Sequence, residues 1–434
     1  MDFLFTLAED ALRFLANLSW PQFLAVFWPF LLFDCGRYLL ADVLVFAKSL
    51  FSREEQGEAA FWERLTAAPP LVSVIIPAHN EAATLGHTLQ SVLEQSHPHL
   101  EVLVVDDGST DGTARVARRW QQQDPRVQVF RNEQRTGKAS AQNLALHFAR
   151  GEFVVVLDAD STLSRTSLAE ALKKFADPRV GAVSCNLRVR NARAGLLTAL
   201  QDLEYLITIS VGRIAQARWG TLFIVSGGFG VMRREAVLEV GGFDVHTCED
   251  MDLTIKLRER GWRIAFAPRT LCLTEVPDTL LGLIRQRLRW DNALISLVLR
   301  KYRNLFDLQA ANFSFRSLMG AVDLILFQLV QNLAFVLYPF YLYYLFREAT
   351  LVVLVAVYLV YVLFSLAQFA TAWALSEQKG TDLRLLVYVP LFPLYNNFLL
   401  RPVRLVAHVG EWLFKYTYRV RYIPPWVGKR TIHW

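Results

Sequence analysis

Short apolar runs alternate with amphipathic stretches between residues 71 and 160. The runs are rich in β-branched residues and poor in polar ones, which is typical of parallel strands buried on both faces. The stretches between them, EAATLGHTLQSVLEQ and GTARVARRWQQQ, have helical periodicity. The four runs are LVSVIIP (71–77), EVLVVDD (101–107), RVQVF (126–130) and FVVVLDAD (153–160). This alternation predicts a three-layer α/β domain with a mostly parallel sheet, whose ligand site lies beyond the carboxyl ends of the strands.

Long apolar segments flank this region on both sides. Residues 20–46, 319–346 and 351–375 are each long enough to cross roughly 30 Å of hydrocarbon as a helix. A further apolar segment, residues 383–400, contains two prolines and an Asn-Asn pair, so that a broken, re-entrant or interfacial helix suits it as well as a clean span. We therefore expect an α/β domain inserted between α-helical transmembrane segments.

The first apolar segment is predicted to be a retained anchor and not a cleaved signal peptide. Acidic residues and a single Arg13 precede it, where a signal peptide has a basic region. The segment carries Asp34, Arg37 and Asp42, which are costly in lipid. Asp34 and Arg37 share one helical face and could pair against other helices.

Composition favours a membrane protein over other classes. Hydrophobic residues make up 53% of the 434, and the mean hydropathy of +0.26 is high for a soluble chain. The four cysteines are widely spaced, which indicates neither a disulfide framework nor a zinc site. Residues 401–434 carry seven basic side chains against the single acid Glu411. We interpret this tail as a positive-inside anchor beside lipid headgroups; nucleic-acid binding is disfavoured, because no aromatic-basic recognition fold accompanies it.

Polar residues follow the first two predicted strands. Asp106 and Asp107, in VVDDGSTDGT, suit an acidic turn that caps a helix. At a strand end they could equally accept hydrogen bonds from a uracil ring and from ribose hydroxyls. His79 could lie flat against the base and Glu81 could support the same pocket, although a single histidine there is more often structural.

Asp158-Ala159-Asp160 closes the fourth predicted strand. Strand alternation would place both carboxylates on one face, where like charges need a cation or solvent between them. Hard oxygen ligands suit Mg²⁺ or Mn²⁺, with a diphosphate completing the coordination shell. We therefore predict a divalent cation at Asp158 and Asp160; the alternative is a solvated strand end.

Two further candidates each allow two interpretations. Lys138, in TGKAS, is either a phosphate contact at the start of a helix or a solvated loop lysine. Glu249 and Asp250 precede the helical stretch MDLTIKLRERG and could simply cap it, since acids are favoured at helix N-termini. In the functional interpretation, Asp250 is a general base that deprotonates an attacking hydroxyl.

The sequence QRLRW, Gln286 to Trp290, lies in a helical stretch from residue 280 to 300. Arg289 can neutralise a leaving diphosphate as a bidentate donor. Trp290 can offer a flat apolar surface to the C–H face of a sugar. The same residues also suit an interfacial helix with arginines toward headgroups and the tryptophan in the aromatic belt.

The order of these motifs resembles the membrane-embedded, processive, inverting glycosyltransferases of family 2. That family includes poly-N-acetylglucosamine, hyaluronan, chitin-oligosaccharide and cellulose synthases. The resemblance runs from about residue 71 to 290 and implies a GT-A type, Rossmann-like nucleotide-sugar-binding domain. It implies an N-terminal membrane anchor and linker (1–70), a cytoplasmic glycosyltransferase domain (71–300), and C-terminal transmembrane helices with a basic tail (301–434). The implied location is the plasma membrane, with the catalytic domain on the cytoplasmic side.

The resemblance also implies a role for each motif. Asp250 matches the base of a T/S-E-D segment, in which Cys248 replaces the usual threonine or serine. SGGFGVMRR (226–234) resembles the segment that lines the acceptor site. The remaining assignments are nucleotide-sugar binding by His79, Glu81, Asp106, Asp107, Lys138, Asp158 and Arg289, metal binding by Asp158 and Asp160, and acceptor binding by Gln286, Trp290 and Glu249.

The implied reaction is polymerisation of a UDP-sugar, with UDP-N-acetylglucosamine or UDP-glucose favoured, into a β-linked polysaccharide that is exported. Mg²⁺ or Mn²⁺ is the implied cofactor; the partners are the growing glycan, membrane lipids and an optional export subunit, without nucleic acid. Transfer of one sugar to a membrane lipid is the first alternative, and a nucleotide-binding membrane protein without catalysis is the second. Asp291-Asn292 departs from the small residues that follow this tryptophan in several polymer synthases, which leaves the sugar and the chain length open.

Overall fold

A computed structural model describes residues 2–39, 61, 63, 65–245, 248–310 and 313–419 of the chain. Most of the predicted linker (48–70), the position of Asp42, the pairing of Arg37 and the last part of the basic tail lie outside the described residues and side chains.

An eight-stranded sheet forms the centre of the α/β region. Its order is β3-β2-β1-β4-β7-β6-β8-β5. The strands β1 to β4 pair in parallel, whereas β7 runs antiparallel to both β4 and β6. The strands are β1 (Val72–Ala78), β2 (Leu100–Asp107), β3 (Val127–Asn132), β4 (Phe153–Leu157), β5 (Thr162–Leu163), β6 (Val180–Val189), β7 (Phe229–Arg233) and β8 (Arg263–Thr274).

Helices cover both faces of this sheet and continue into the flanking segments. The α-helices are α1 (Asp2–Ala16), α2 (Trp20–Pro29), α3 (Leu85–Leu93), α4 (Thr113–Gln123), α5 (Lys138–Phe148), α6 (Ser167–Leu172), α7 (Leu196–Glu204), α8 (Gly212–Trp219), α9 (Arg234–Glu239), α10 (Glu249–Glu259), α11 (Leu280–Ala293), α12 (Phe315–Leu324), α13 (Gln331–Phe346), α14 (Thr350–Leu375), α15 (Lys379–Asp382), α16 (Phe392–Leu394) and α17 (Arg401–Phe414). Wider, π-type turns occupy Phe30–Leu39, Tyr205–Val211, Leu294–Lys301, Ile325–Val330 and Tyr395–Leu400. Tighter 3₁₀ turns occupy Lys173–Ala176, Arg303–Phe306, Arg347–Ala349, Leu383–Leu391 and Tyr416–Arg419.

The predicted three layers are present. Val74 and Ile76 of β1 face one hydrophobic cluster, which includes residues of α3, α4 and α6. Ile75 faces the opposite cluster, which includes residues of α5, α9 and α10. Because successive side chains of a strand point to opposite faces, a sheet covered on both sides needs the nearly continuous apolar runs seen in the sequence. The α/β fold prediction is thereby confirmed.

Two described helical stretches, Phe315–Leu375 and Lys379–Phe414, are long and apolar enough to cross a membrane. A third span is added if Phe3–Ala16 and Trp20–Cys35, which meet at 117°, are counted as one broken span. The first stretch folds back at Arg347, where the backbone adopts a φ of 47°. Its two arms pack together, and the ring of Phe335 on one arm lies 5.9 Å from the ring of Tyr361 on the other. The turn therefore falls where the sequence predicts it.

The proline-containing segment 383–400 is an interrupted helix. Tight turns over Leu383–Leu391 give way to wide turns over Tyr395–Leu400 before α17 begins. Pro390 and Pro393 have no N–H to donate, which is incompatible with an unbroken helical hydrogen-bond ladder. The predicted irregular geometry is observed, and its course relative to a membrane stays a prediction.

Charged residues within the apolar segments are paired with one another. Asp34 accepts hydrogen bonds from Gln331 Nε2 and the Tyr361 hydroxyl, both at 2.7 Å, and from Arg401 Nη2 at 3.2 Å. Asp34 thus pairs against other helices, as predicted. The interpretation of Arg401 as a headgroup contact is wrong, because its side chain is buried beside this carboxylate, where the two charges offset each other's desolvation. Arg404 likewise faces the protein interior, 3.7 Å from Asp291.

Candidate active site

The ends of β1 and β2 form one side of the candidate site. Asp106 is fully buried, and its Oδ1 accepts a hydrogen bond from the backbone N–H of Ser109 at 3.0 Å. Its Oδ2 lies 3.3 Å from Arg131 Nε but accepts no hydrogen bond from the residues that the structure describes. His79 donates from Nδ1 to the backbone carbonyl of Asp107 at 2.8 Å, which fixes the orientation of its ring. An unpartnered buried carboxylate oxygen is a place for a ligand N–H or O–H.

Asp107 holds the loop before α5. Its Oδ1 accepts hydrogen bonds from the Thr136 N–H (2.8 Å), the Thr136 hydroxyl (2.7 Å) and Asn132 Nδ2 (2.9 Å). Its Oδ2 accepts one from the Gly137 N–H at 2.8 Å. These four bonds occupy about as many acceptor sites as a carboxylate offers. Asp107 thus positions Lys138, and direct contact of Asp107 with a nucleotide stays a prediction.

Lys138 is the first residue of α5 and connects two acidic groups. Its Nζ lies 2.7 Å from Asp158 Oδ1 and 3.1 Å from Glu249 Oε1. Burial by itself would lower the pKa of Lys138, but the carboxylates of Asp158, Glu249 and Asp250 outweigh it and raise that pKa. Lys138 is therefore a fixed cation between β4 and α10, which contradicts its interpretation as a solvated loop lysine.

The D-x-D motif lies in a turn and not at the end of a strand. β4 ends at Leu157, the Asp158 N–H donates to the Gly228 carbonyl at 3.3 Å, and the Ser161 N–H donates to the Asp158 carbonyl at 3.1 Å. The prediction that residues 153–160 form one strand is therefore wrong for its last three residues. Their hydrogen bonds close a turn where strand alternation no longer applies.

The residues of this turn fit a divalent cation. Burial, together with the negative charges of Asp158 and Glu81, raises the pKa of Asp160 to about 6. Burial also raises the pKa of Glu81, although a hydrogen bond from the Thr84 hydroxyl offsets part of the effect. A bound cation would relieve this crowding of like charge. Among the described residues, no group of three or more His, Cys, Asp or Glu side chains suited to a metal occurs.

Asp250 stands in the first turn of α10, on the other side of Lys138. Its Oδ2 accepts a hydrogen bond from the Gly227 N–H at 3.2 Å. Burial raises the pKa of Asp250 and Glu249 raises it further, while Lys138 works in the opposite direction. A Cβ atom at Gly227 would lie 3.0 Å from Lys138 Nζ and 3.4 Å from Asp250 Oδ2. A side chain at this position would therefore crowd both the cation and the carboxylate, and glycine lets both groups approach the same stretch of backbone.

Cys248 connects α10 to the QRLRW helix, α11. Its φ of 66° is a strained conformation for a residue other than glycine. Its Sγ lies 3.6 Å from the Arg289 carbonyl oxygen and 3.8 Å from that of Trp290, within reach of a weak thiol hydrogen bond. The half-buried side chains of Arg289 and Trp290 are thus held beside the helix that carries Asp250.

The polar groups of α11 have different environments. The Oε1 of Gln286 is buried and accepts no hydrogen bond within the described chain. The guanidinium of Arg287 stacks 4.7 Å from the centroid of the Trp290 ring and donates to Glu204 Oε2 at 2.8 Å. Arg287 is buried, so the interpretation that all arginines of this helix point toward headgroups is wrong.

Sequence reasoning missed a polar cavity of about 250 Å³ beside this helix. Carboxylates, amides and aromatic rings from both the α/β region and the later helices line it, among them Asp34, Glu204, Trp219, Asp291, Gln331, Tyr361, Asn397 and Arg404. The amide side chains within the apolar segments could have indicated this cavity, because such groups are costly in lipid unless they face a partner or a cavity.

Comparison with known proteins identifies the α/β region. Residues 73–241 match the family described as Glycosyl transferase family 2. These residues form a family 2 glycosyltransferase domain. The resemblance to family 2 glycosyltransferases inferred from the motifs is thereby confirmed.

Two curated relatives match over part of their length. A poly-beta-1,6-N-acetyl-D-glucosamine synthase of Staphylococcus aureus is 32% identical over 233 residues, which cover 53% of this chain and 56% of the relative. An N-acetylglucosaminyltransferase of Rhizobium meliloti is 34% identical over 254 residues, covering 56% of this chain and 60% of the relative. The matches thus span little more than half of each relative.

A solved structure shares the architecture. The mannosyltransferase from Pyrobaculum calidifontis, in complex with GDP-Man and Mn²⁺, is 25% identical and superposes with a TM-score of 0.56. The match covers 87% of this chain and 99% of the mannosyltransferase. The GT-A type of the predicted fold is confirmed by this likeness.

Proposed function

We propose that this protein is an inverting glycosyltransferase that polymerises a UDP-sugar at a membrane. The single observation that carries the proposal is the convergence of two groups on Gly227: a cation, Lys138, and a carboxylate of raised pKa, Asp250. A leaving diphosphate needs the first group, and an attacking hydroxyl needs the second. The names of the two curated relatives favour UDP-N-acetylglucosamine as the donor. UDP-glucose is the second candidate.

On the donor side, Oδ2 of Asp106, which has an ion-pair contact with Arg131 but no hydrogen bond from the described residues, accepts one from the uracil N–H. His79 and Glu81 border the base and ribose. Lys138 and Arg289 bind the diphosphate. Mg²⁺ or Mn²⁺ would be held by Asp158 and Asp160, where its charge would offset that of the departing diphosphate. The Mn²⁺ bound with GDP-Man in the mannosyltransferase complex supports this cofactor.

On the acceptor side, Asp250 removes the proton from the acceptor hydroxyl as that oxygen attacks C1 of the donor sugar. The C1–O bond to the diphosphate breaks in the same step, on the opposite face, so the anomeric configuration inverts. Gln286, Glu249 and Trp290 hold the acceptor sugar, with Trp290 against its C–H face.

We place the boundaries of the parts at residues 70 and 300, with the catalytic part in the cytoplasm, where UDP-sugars occur, and the flanking parts in the plasma membrane. The polar cavity beside α11 supports passage of a growing glycan between the C-terminal helices, because amide and aromatic linings suit hydroxyl-rich chains. An accessory export subunit is compatible with this arrangement.

Release of UDP by the detergent-solubilised full chain tests the proposal. We expect release with Mg²⁺ or Mn²⁺ from one of four donors: UDP-glucose, UDP-N-acetylglucosamine, UDP-glucuronate or UDP-galactose. The radiolabelled product should be insoluble in ethanol. A product extractable into organic solvent would instead favour transfer of one sugar to a lipid, and release from no donor in native membranes would contradict the proposal.

A further inference from the structure

A second, much smaller cavity lies beside Asp250, with a volume of about 10 Å³. Its polar wall consists of Gln142 of α5, Glu249 and Asp250 of α10, and Ser226 and Gly227 from the segment before β7. The apolar residues that line it are Val156, Val225, Met232, Phe243 and Leu253. The cavity therefore lies between α5 and the start of α10, next to the backbone on which Lys138 and Asp250 converge.

Gln142 contributes an unpaired amide to the wall of this cavity. The residue is 1% exposed, and within the part of the chain that the structure describes neither its Oε1 nor its Nε2 has a hydrogen-bond partner. It lies one helical turn after Lys138, so both side chains lie on the face of α5 that is turned toward Glu249 and α10. Buried amides are nearly always hydrogen-bonded, because a buried donor or acceptor without a partner is costly. The amide of Gln142 therefore indicates that the cavity binds a small polar ligand.

The size and the chemistry of the cavity restrict this ligand to one water molecule. A volume of about 10 Å³ is close to the least that a water molecule needs, and it is too small for a sugar or a phosphate. A buried water needs two to four polar partners, which the amide, the two carboxylates and the hydroxyl of Ser226 can supply. A metal cation is disfavoured, because the charged Nζ of Lys138 already lies 3.1 Å from Glu249.

Asp250 has acceptor sites left for such a water. Its Oδ2 accepts a hydrogen bond from the Gly227 N–H at 3.2 Å, and its Oδ1 accepts one from the Met251 N–H at 2.7 Å. A carboxylate offers about four acceptor sites in all. These two bonds therefore leave room for one bond from a water in the cavity and one from an acceptor hydroxyl.

We propose that this cavity binds one water molecule that links the Gln142 amide to the Asp250 carboxylate, and that Gln142 is thereby a positioning residue for Asp250. The water accepts a hydrogen bond from Nε2 of Gln142 and donates one to Asp250, so that the carboxylate keeps its orientation when the acceptor binds and leaves. Gln142 itself does not touch the substrate. The inference rests on the proposed function, since it takes Asp250 to be the base that faces the acceptor hydroxyl.

The water site is tested directly by a density map of the full chain at a resolution that shows ordered water. We expect density between Gln142 and Asp250 in the unaltered protein and none in Gln142→Met, which removes the amide but keeps nearly the same shape. The control is His147→Met, at an exposed position of the same helix, which should retain the density. A cavity without density in the unaltered protein overturns the proposal.

The stability of Gln142→Met distinguishes a bound water from an amide that has no partner at all. Replacing an unpaired buried amide by an apolar side chain of the same shape should stabilise the protein, and the denaturant midpoint of unfolding should rise. Replacing an amide that binds a water should leave the midpoint unchanged or lower it, because a hydrogen bond is lost. A midpoint that rises above those of the unaltered protein and His147→Met therefore contradicts the proposal.

The positioning role is tested by the rate of UDP release from UDP-N-acetylglucosamine. In Gln142→Met we expect kcat to fall about two- to tenfold, as for one lost hydrogen bond, while the donor KM stays within about twofold. A carboxylate that loses a hydrogen-bond donor has a raised pKa, so the acid limb of the pH–rate profile should move up by about half a unit to one unit. The other groups that act on Asp250 are unchanged in this variant; they are Cys248 and Glu249 at the start of its own helix, Lys138 of α5 and Arg213 of α8.

Gln142→Asn is the conservative variant. It keeps the amide, and the space it vacates lets the water follow, so the acid limb should return close to its original position. An acid limb that does not move in Gln142→Met, or that moves equally in Gln142→Met and Gln142→Asn, overturns the positioning role. Should Gln142→Met fail to fold, Gln142→Leu takes its place under the same criteria. Failure of the proposed function would look different, because the unaltered protein would then release no UDP although the water density could still be present.

Discussion

Two regions of the candidate site are built in different ways: the donor side, at the ends of β1, β2 and β4, and the cavity side, next to the cavity beside α11. On the donor side, polar groups lie at or just after the ends of β1, β2 and β4, and they include a carboxylate oxygen without a hydrogen bond in the described part of the chain, Oδ2 of Asp106. On the cavity side, charged residues that are far apart in the sequence form buried ion pairs. Arg287 pairs with Glu204, 83 residues away, and Arg401 pairs with Asp34, 367 residues away. We infer that the donor side is arranged to bind a ligand, whereas the ion pairs of the cavity side hold the helices in place.

This difference predicts which changes affect activity and which affect stability. Removing a donor-side group leaves a gap that solvent or substrate can enter. Removing one partner of a buried pair leaves the other charge without compensation, which is among the most destabilising changes in a protein.

The largest expected effect is on stability and comes from the cavity side. Arg287→Met should lower the free energy of unfolding by about 3–5 kcal/mol, because Glu204 would keep only the Tyr395 hydroxyl at 2.9 Å and the more distant Arg404. The measurement is unfolding of the solubilised protein in denaturant. Arg285→Met, an exposed change on the same helix, is the control.

A second variant sharpens this test. Adding Glu204→Gln to Arg287→Met removes the stranded charge and should recover part of the lost stability. Equal stability of Arg287→Met and Arg285→Met would show that the buried pair does not hold the helices in place.

An intermediate effect is expected on the donor side, in metal binding. Asp160, with its pKa raised to about 6, must be ionised to bind a cation, so protons compete as the pH falls below that value. The apparent affinity for Mn²⁺ in the presence of UDP should fall by about tenfold per pH unit below pH 6 and level off above it. Electron paramagnetic resonance of free Mn²⁺ measures this directly.

Two variants test whether ionisation of Asp160 causes this pH dependence of Mn²⁺ binding. Asp160→Asn should bind Mn²⁺ weakly at every pH, whereas Asp278→Asn, at an exposed position, should titrate like the unaltered protein. If the affinity of the unaltered protein for Mn²⁺ does not depend on pH, Asp160 is not a ligand of the cation.

The same contrast explains what could be predicted from the sequence. Apolar runs and short acidic motifs carry local information, so the first four strands, the family and the convergence of Lys138, Asp158 and Asp250 were within reach. The strands β5 to β8 were not predicted. The turn at Asp158 was missed because β4 ends together with its partner β7, far along the chain, where the Asp158 N–H donates to the carbonyl of Gly228 just before β7.

The partners in long-range pairs could not be predicted. No local pattern indicates that Arg401 meets Asp34, or that Arg213 reaches Ser184, because each partner lies on another element. A basic residue near a chain end was therefore assigned to lipid headgroups, although burial and ion pairing were its actual environment.

The smallest expected effect concerns the contact between α10 and α11. Cys248→Ser keeps a donor for the Arg289 and Trp290 carbonyls and leaves the backbone conformation unchanged, so UDP release should stay within about threefold of the original rate. Cys248→Val, which removes the donor and disfavours the left-handed backbone, should cost more. Similar rates for the two variants would show that this contact does not align the two helices.

The most direct test of the central claim is a paired measurement on Asp250→Asn, with Asp278→Asn as the control. Titration calorimetry gives the affinity for UDP, and a coupled assay gives the rate of UDP release from UDP-N-acetylglucosamine. A general base contributes about 10²–10⁴-fold, so the rate should fall by that factor while the affinity for UDP changes little. Undiminished release from Asp250→Asn would contradict the account.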